Sequence, residues 1–201
     1  MKNINDSYLN YSSWKELESY FPEGYRIDNE YHPKEYFIKW NNNNIHIDHY
    51  LPKKNTKKIK LILVHGGGGN GRLLSPIGIA LLKLGFECVA PDLPGFGLSK
   101  ENSPISYSNW VDLINDIVNI ERKKDDRSIV LCGISLGGML SYHVACINDG
   151  VMAIMVSSLA DTRRKEVQNQ LSKNKLLGTI SLPFLNFTKA VSDSIKVPIK
   201  L

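Results

Sequence analysis

Ser135 is the residue whose surroundings could make it reactive. It sits in Gly133-Ile134-Ser135-Leu136-Gly137, a G-x-S-x-G pentapeptide. An apolar run, Ile129 to Cys132, precedes it, and a helical pattern starts directly behind it. A serine on so tight a strand-to-helix turn has its hydroxyl pushed out of the sheet. The two flanking glycines leave room for the neighbouring strand and helix. The chemistry such a hydroxyl performs is attack on an acyl carbon, which needs donors for the oxyanion that forms. The sequence offers donors in His65-Gly66-Gly67-Gly68-Gly69, where four consecutive glycines let backbone N–H groups approach a substrate oxygen. A third unusual stretch, Pro91-Asp92-Leu93-Pro94-Gly95-Phe96-Gly97-Leu98-Ser99, reads as a rigid turn.

The elements that must position these three stretches alternate along the chain. Glu35 to Trp40 and Ile45 to Leu51 flank Asn41-Asn42-Asn43-Asn44 and read as a β-hairpin. Its histidines, His46 and His49, read as structural. Lys60 to Val64 is a short apolar run, the mark of a strand covered on both faces, and it feeds the glycine stretch. Leu73 to Leu84 is helical, Phe86 to Ala90 is the next strand, and Tyr107 to Lys124 is an amphipathic helix. The strand that carries Ser135 follows, then a helix over Leu136 to Asp149 and a buried strand over Val151 to Val156. The fold class is therefore α/β: a mostly parallel sheet with an antiparallel N-terminal hairpin and helices on both faces. All three unusual stretches fall at the carboxyl ends of parallel strands, where ligands bind in open α/β sheets.

V-H-G-G-G-G, P-D-L-P-G-F-G-L-S and G-I-S-L-G-G, in that order, resemble the α/β-hydrolase family over residues 35–160. The resemblance implies that Ser135 is the nucleophile. It implies an oxyanion hole from the N–H of Leu136 and one from Gly67 or Gly68. It makes His65 a structural residue rather than the base. In the family the acid and then the histidine follow the serine. Here Asp161 is a candidate acid at a minority position. His143 is the one histidine after Ser135, about 12 Å along the helix at 1.5 Å per residue, beyond reach of the hydroxyl. The chain thus reads as the first part of an α/β hydrolase, cut inside the cap. Residues 1–34 form an arm, with a capping box at Ser13 and Glu16. Residues 35–160 form the core, and 161–201 the start of a cap or lid.

Two functions follow. One is hydrolysis of an ester or related small acyl substrate by Ser135. The other is a non-catalytic product, either a truncated or split-gene fragment or a binding protein on the same fold. The chain has 201 residues and a net charge of +5, partly from Lys53, Lys54, Lys57, Lys58 and Lys60, which read as a solvated turn. No nucleic-acid motif accompanies them, no apolar run spans a bilayer, and no spacing of His and Cys suggests a metal. No phosphate or dinucleotide motif calls for a cofactor. Three cysteines in apolar segments and a polar N-terminus suit a cytoplasmic protein. An open sheet edge would favour self-association.

Overall fold

A computed structural model describes residues 6–54, 57–99 and 106–159. The hairpin is tighter than the four asparagines suggest. Strands β1 (Lys34–Trp40) and β2 (Asn43–Tyr50) are joined by Asn41 and Asn42 alone, at φ 42° and 62°. Asparagine tolerates that region, and a two-residue turn with both residues there matches the twist of the strands. Asn43 and Asn44 extend β2 and pair with Trp40 and Lys39.

Four further strands complete the sheet among the described residues: β3 (Ile59–Val64), β4 (Glu87–Pro91), β5 (Ser128–Ile134) and β6 (Val151–Ser157). Their order is β1-β2-β4-β3-β5-β6. β2 meets β4 antiparallel, and every pairing beyond that is parallel. The helices are α1 (Ser12–Glu18), α2 (Ser75–Lys83), α3 (Tyr107–Arg122) and α4 (Leu136–Ile147). The stripe on α3 is buried at Trp110, Leu113, Ile114, Ile117 and Val118. Each such side chain contributes roughly 1.5–3 kcal/mol when fully buried. None of the helices is long and apolar enough to cross a membrane among the described residues.

Several readings of the sequence need correction. The capping box is not formed: α1 starts at Ser12, and the side chain of Tyr11 at its N-cap does not bond the helix's free N–H groups. The cap is made one element earlier, where Ser7 Oγ accepts from the Leu9 N–H at the head of a 3-10 turn over Tyr8–Asn10. Lys60 does not belong to a solvated basic turn. It is fully buried and bonded to Glu121 at 3.0 Å. β6 is not a buried strand. Met152, Met155 and Val156 are exposed, and its outer edge has no partner among the described residues. Cys146 is exposed as well, although Cys88 is buried. The proposed cap, 161–201, lies outside the described residues.

Candidate active site

Ser135 stands between β5 and α4 with φ 54° and ψ −116°, backbone angles that an L-residue other than glycine rarely adopts. The residue is exposed while Leu136, Gly137 and Gly138 behind it are buried. Its N–H donates to the Ser157 carbonyl at 2.9 Å, tying the bend to the end of β6. Its carbonyl accepts from Gly138 and opens the helix. Leu136 is the first helical residue, so its N–H has no partner within α4. Gly137 is required by close approach: a Cβ there would overlap the Val64 carbonyl oxygen at the end of β3.

That approach brings the glycine corner to the serine. A Cβ on Gly66 would stand 3.4 Å from the Ser135 Cβ and 3.2 Å from the Ile134 carbonyl oxygen. The corner is a turn closed by the Gly69 N–H donating to the Gly66 carbonyl at 3.1 Å, with Gly68 at φ 76°. Gly67 and Gly68 are the exposed residues of this turn. The two loops thus lie at the same end of the parallel strands.

His65 anchors the corner from below. It is buried, and its Nε2 accepts from the Leu93 N–H at 3.0 Å. Nδ1 therefore carries the proton and donates to the Gly66 carbonyl at 2.8 Å. Burial holds its pKa below the ordinary imidazole value, which suits this neutral form. The third loop is stitched by Asp92. Its Oδ1 accepts from the Gly71 N–H at 2.6 Å, and its Oδ2 accepts from the Leu98 N–H at 2.7 Å. Ser99 Oγ donates to the Asp92 carbonyl, and Trp110 Nε1 donates to Pro94.

Beneath these loops lies a buried ion network that sequence reasoning missed. Arg72 forks onto Asp48 at 2.6 and 2.7 Å and reaches Glu35 at 2.8 Å. His46 Nε2 is 3.0 Å from Glu35, and its Nδ1 is 3.3 Å from Asp92. Burial opposes charge on His46, but the Asp92 and Glu35 carboxylates prevail and push its pKa up to about 9. Burial likewise opposes charge on Glu35, yet His46 and Arg72 hold its pKa down to about 2. Donor atoms of Glu35, His46 and Asp48 lie within 4.8 Å of one another. Arg72 already bonds both carboxylates, so the cluster is balanced by a guanidinium rather than shaped for a metal ion. His46 alternates with apolar residues along β2, which gave no sign that it faces three acids.

Among the described residues, no side chain is hydrogen-bonded to the Ser135 hydroxyl. His143 is half-buried on α4, with Nδ1 2.7 Å from the Tyr107 hydroxyl. His49 meets Glu87 at 2.9 Å in a separate cluster. Asp161, the candidate acid, lies outside the described residues. A polar cavity of about 400 Å³, lined by Arg122, Asp125, Arg127, Ser128 and Asp149, sits where β5 begins. That is the opposite end of the strand from Ser135, so it has no part in this site.

A strained serine bend and a glycine corner on the carboxyl ends of a parallel sheet define an α/β hydrolase. The chain belongs to that family: its residues 60–195 match the family model for the alpha/beta hydrolase fold. It is 29% identical to Protein ABHD14A of Rattus norvegicus over 128 residues, 59% of this chain and 50% of that one. It is 26% identical over 158 residues to the pimeloyl-[acyl-carrier protein] methyl ester esterase of Legionella pneumophila, covering 78% of this chain and 56% of that one. Among solved structures, the thioesterase domain from the curacin biosynthetic pathway superposes with a TM-score of 0.58 at 20% identity, over 84% of this chain and 57% of that one. The chain thus spans about half the length of these relatives.

Proposed function

We propose that the protein is a serine hydrolase in which Ser135 attacks an ester or related small acyl substrate. The observation that carries this is the exposed Ser135 at φ 54°, with the Gly66 backbone beside it. The Leu136 N–H and that of Gly67 or Gly68 hold the oxyanion. Such donors are worth roughly 10²–10³-fold each in turnover. His65 is excluded as base because both its nitrogens are engaged. The base and the acid, for which Asp161 is the candidate, come from outside the described residues. Two relatives with ester or thioester hydrolysis in their names support the acyl class. We further place the protein in the cytoplasm, acting without a cofactor, and expect self-association through the outer edge of β6, which has no partner among the described residues.

The second reading, a chain that binds at this site without turning over, is favoured by one observation: no described side chain bonds the Ser135 hydroxyl. Reaction with a fluorophosphonate separates the two. Stoichiometric labelling that is lost in Ser135→Ala supports the hydrolase. Absence of labelling in the folded chain supports the non-catalytic reading.

A further inference from the structure

We infer that the amino-terminal arm is a working part of this site and that Tyr8 is a positioning residue for the oxyanion loop, a role that rests on Ser135 being the nucleophile. Tyr8 lies in the 3-10 turn near the start of the chain, ahead of the residues that match the family model. It is buried, and its hydroxyl donates to Asp92 Oδ2 at 2.7 Å. One carboxylate therefore ties three segments together: the arm, the exit from the glycine corner at Gly71, and the exit from the third loop at Leu98.

The link continues to the candidate donors. Leu93, the residue after Asp92, gives its N–H to His65 Nε2, and His65 Nδ1–H holds the Gly66 carbonyl. A peptide unit is planar and trans, so its C=O and N–H point in opposite directions. Fixing the Gly66 carbonyl therefore fixes the direction of the Gly67 N–H. A short relay, Tyr8 to Asp92–Leu93 to His65 to Gly66, joins the arm to one of the two proposed glycine donors.

Two further features show that the loop is built around the Tyr8 hydroxyl. Gly97 lies at φ 54°, and a Cβ there would overlap both Tyr8 Oη and Asp92 Oδ2. The arm is itself clamped. The Arg72 guanidinium lies 4.9 Å from the Tyr8 ring centre and 5.5 Å from that of Trp14. Ser7 Oγ and the Tyr8 N–H both donate to Glu35. A carboxylate that keeps only part of its donor set holds its loops less firmly, because each hydrogen bond to a charged group is among the stronger ones.

Tyr8→Phe tests this, since it keeps the ring on Arg72 and removes only the hydroxyl. Hydrogen exchange of backbone amides reads the positioning without turnover. We expect exchange in 66–74 and 92–99 to accelerate at least about tenfold, with α3 and β5 unchanged. In hydrolysis of p-nitrophenyl acetate we expect kcat to fall about tenfold with KM within twofold. Ile117→Val, a core change on α3, serves as a variant of comparable stability loss and should show neither effect. Unchanged exchange in the two loops of Tyr8→Phe, or the same pattern in Ile117→Val, would overturn the proposal. Should the wild-type chain neither hydrolyse the ester nor take the phosphonate, the nucleophile reading fails, while the exchange data still decide what Tyr8 does.

Discussion

Arg72 and Lys60 are both cations with side chains about 1% exposed, yet they hold different parts of the molecule. Arg72 sits under the carboxyl ends of the strands, where its partners Glu35 and Asp48 share a network with His46 and Asp92. That network reaches the arm and two site loops. Lys60 sits at the amino ends, bonded to Glu121 and Asp125 at 3.0 and 3.1 Å and 3.6 Å from Glu87. Arg127 joins the same acids, bonding Glu87 and Asp125. Lys60's cluster joins strand starts to the end of α3 and touches no residue of the site. The lesson is that one end of this sheet uses buried charge to aim loops, and the other uses it only to brace strands.

The sharpest way to break that comparison is to remove each cation. Arg72→Met should cost about 3–5 kcal/mol, because it takes both guanidinium bonds from the buried Asp48, while Glu35 keeps His46. Urea denaturation measures the loss, and amide exchange should show 66–74 and 92–99 loosening beyond the global change. Lys60→Met should cost less, about 3 kcal/mol, since Lys124 still bonds Glu121 and Arg127 still balances Glu87 and Asp125. It should leave fluorophosphonate labelling per folded molecule as in wild type. If labelling falls equally in both variants, the distinction between the two ends is wrong.

Alkaline pH separates the clusters next. A histidine whose pKa is raised in the folded state adds stability that is fully present below its unfolded pKa and is lost as pH rises through the folded one. For His46 that window runs from about 6.5 to about 9, and the loss is on the order of 3 kcal/mol. Lys60 and Arg127 contribute no such step there, because both are shifted up from values already above 10. Melting temperature should therefore decline between pH 6.5 and 9, and His46→Gln should flatten the decline. At acid pH the clusters behave alike. Burial raises Glu35 and Glu87, but their cationic partners win and lower both pKa values to about 2, so each adds stability above about 4.5 that is lost as pH falls toward 2. The smallest effect belongs to a pair outside both clusters. Lys53 and Glu30 meet at 3.2 Å with side chains 82% and 56% exposed, and Lys53→Ala should shift stability by less than about 0.5 kcal/mol.

The parts of this fold that read directly from the chain are those set by local pattern. Lys60 to Val64 is an apolar run that feeds a glycine stretch, and Ser135 lies in a five-residue motif, so strand, bend and corner follow from neighbours in sequence. The ion networks were hidden because their members are far apart. Glu35, Asp48, Arg72 and Asp92 come from four separate stretches, and each looks like an ordinary surface charge in its own window. Lys60 misled for the same reason: four exposed-looking lysines precede it, and only the strand pairing puts it indoors. β6 misled in the reverse direction. Its apolar composition signals cover on both faces, but β6 is the last strand of the sheet among the described residues, and such a strand receives that cover only from what packs beside it.

The place of β2 in the sheet bears on how this protein should be handled. β2 lies between β1 and β4, so the backbone of β4 is satisfied on one side by residues that precede the family match. Trimming an expression fragment to begin at residue 60 would leave β4 with a bare ladder and Arg72 without either of its acids. Such a fragment should come out insoluble, and boundaries for this protein are better set by limited proteolysis of the intact chain.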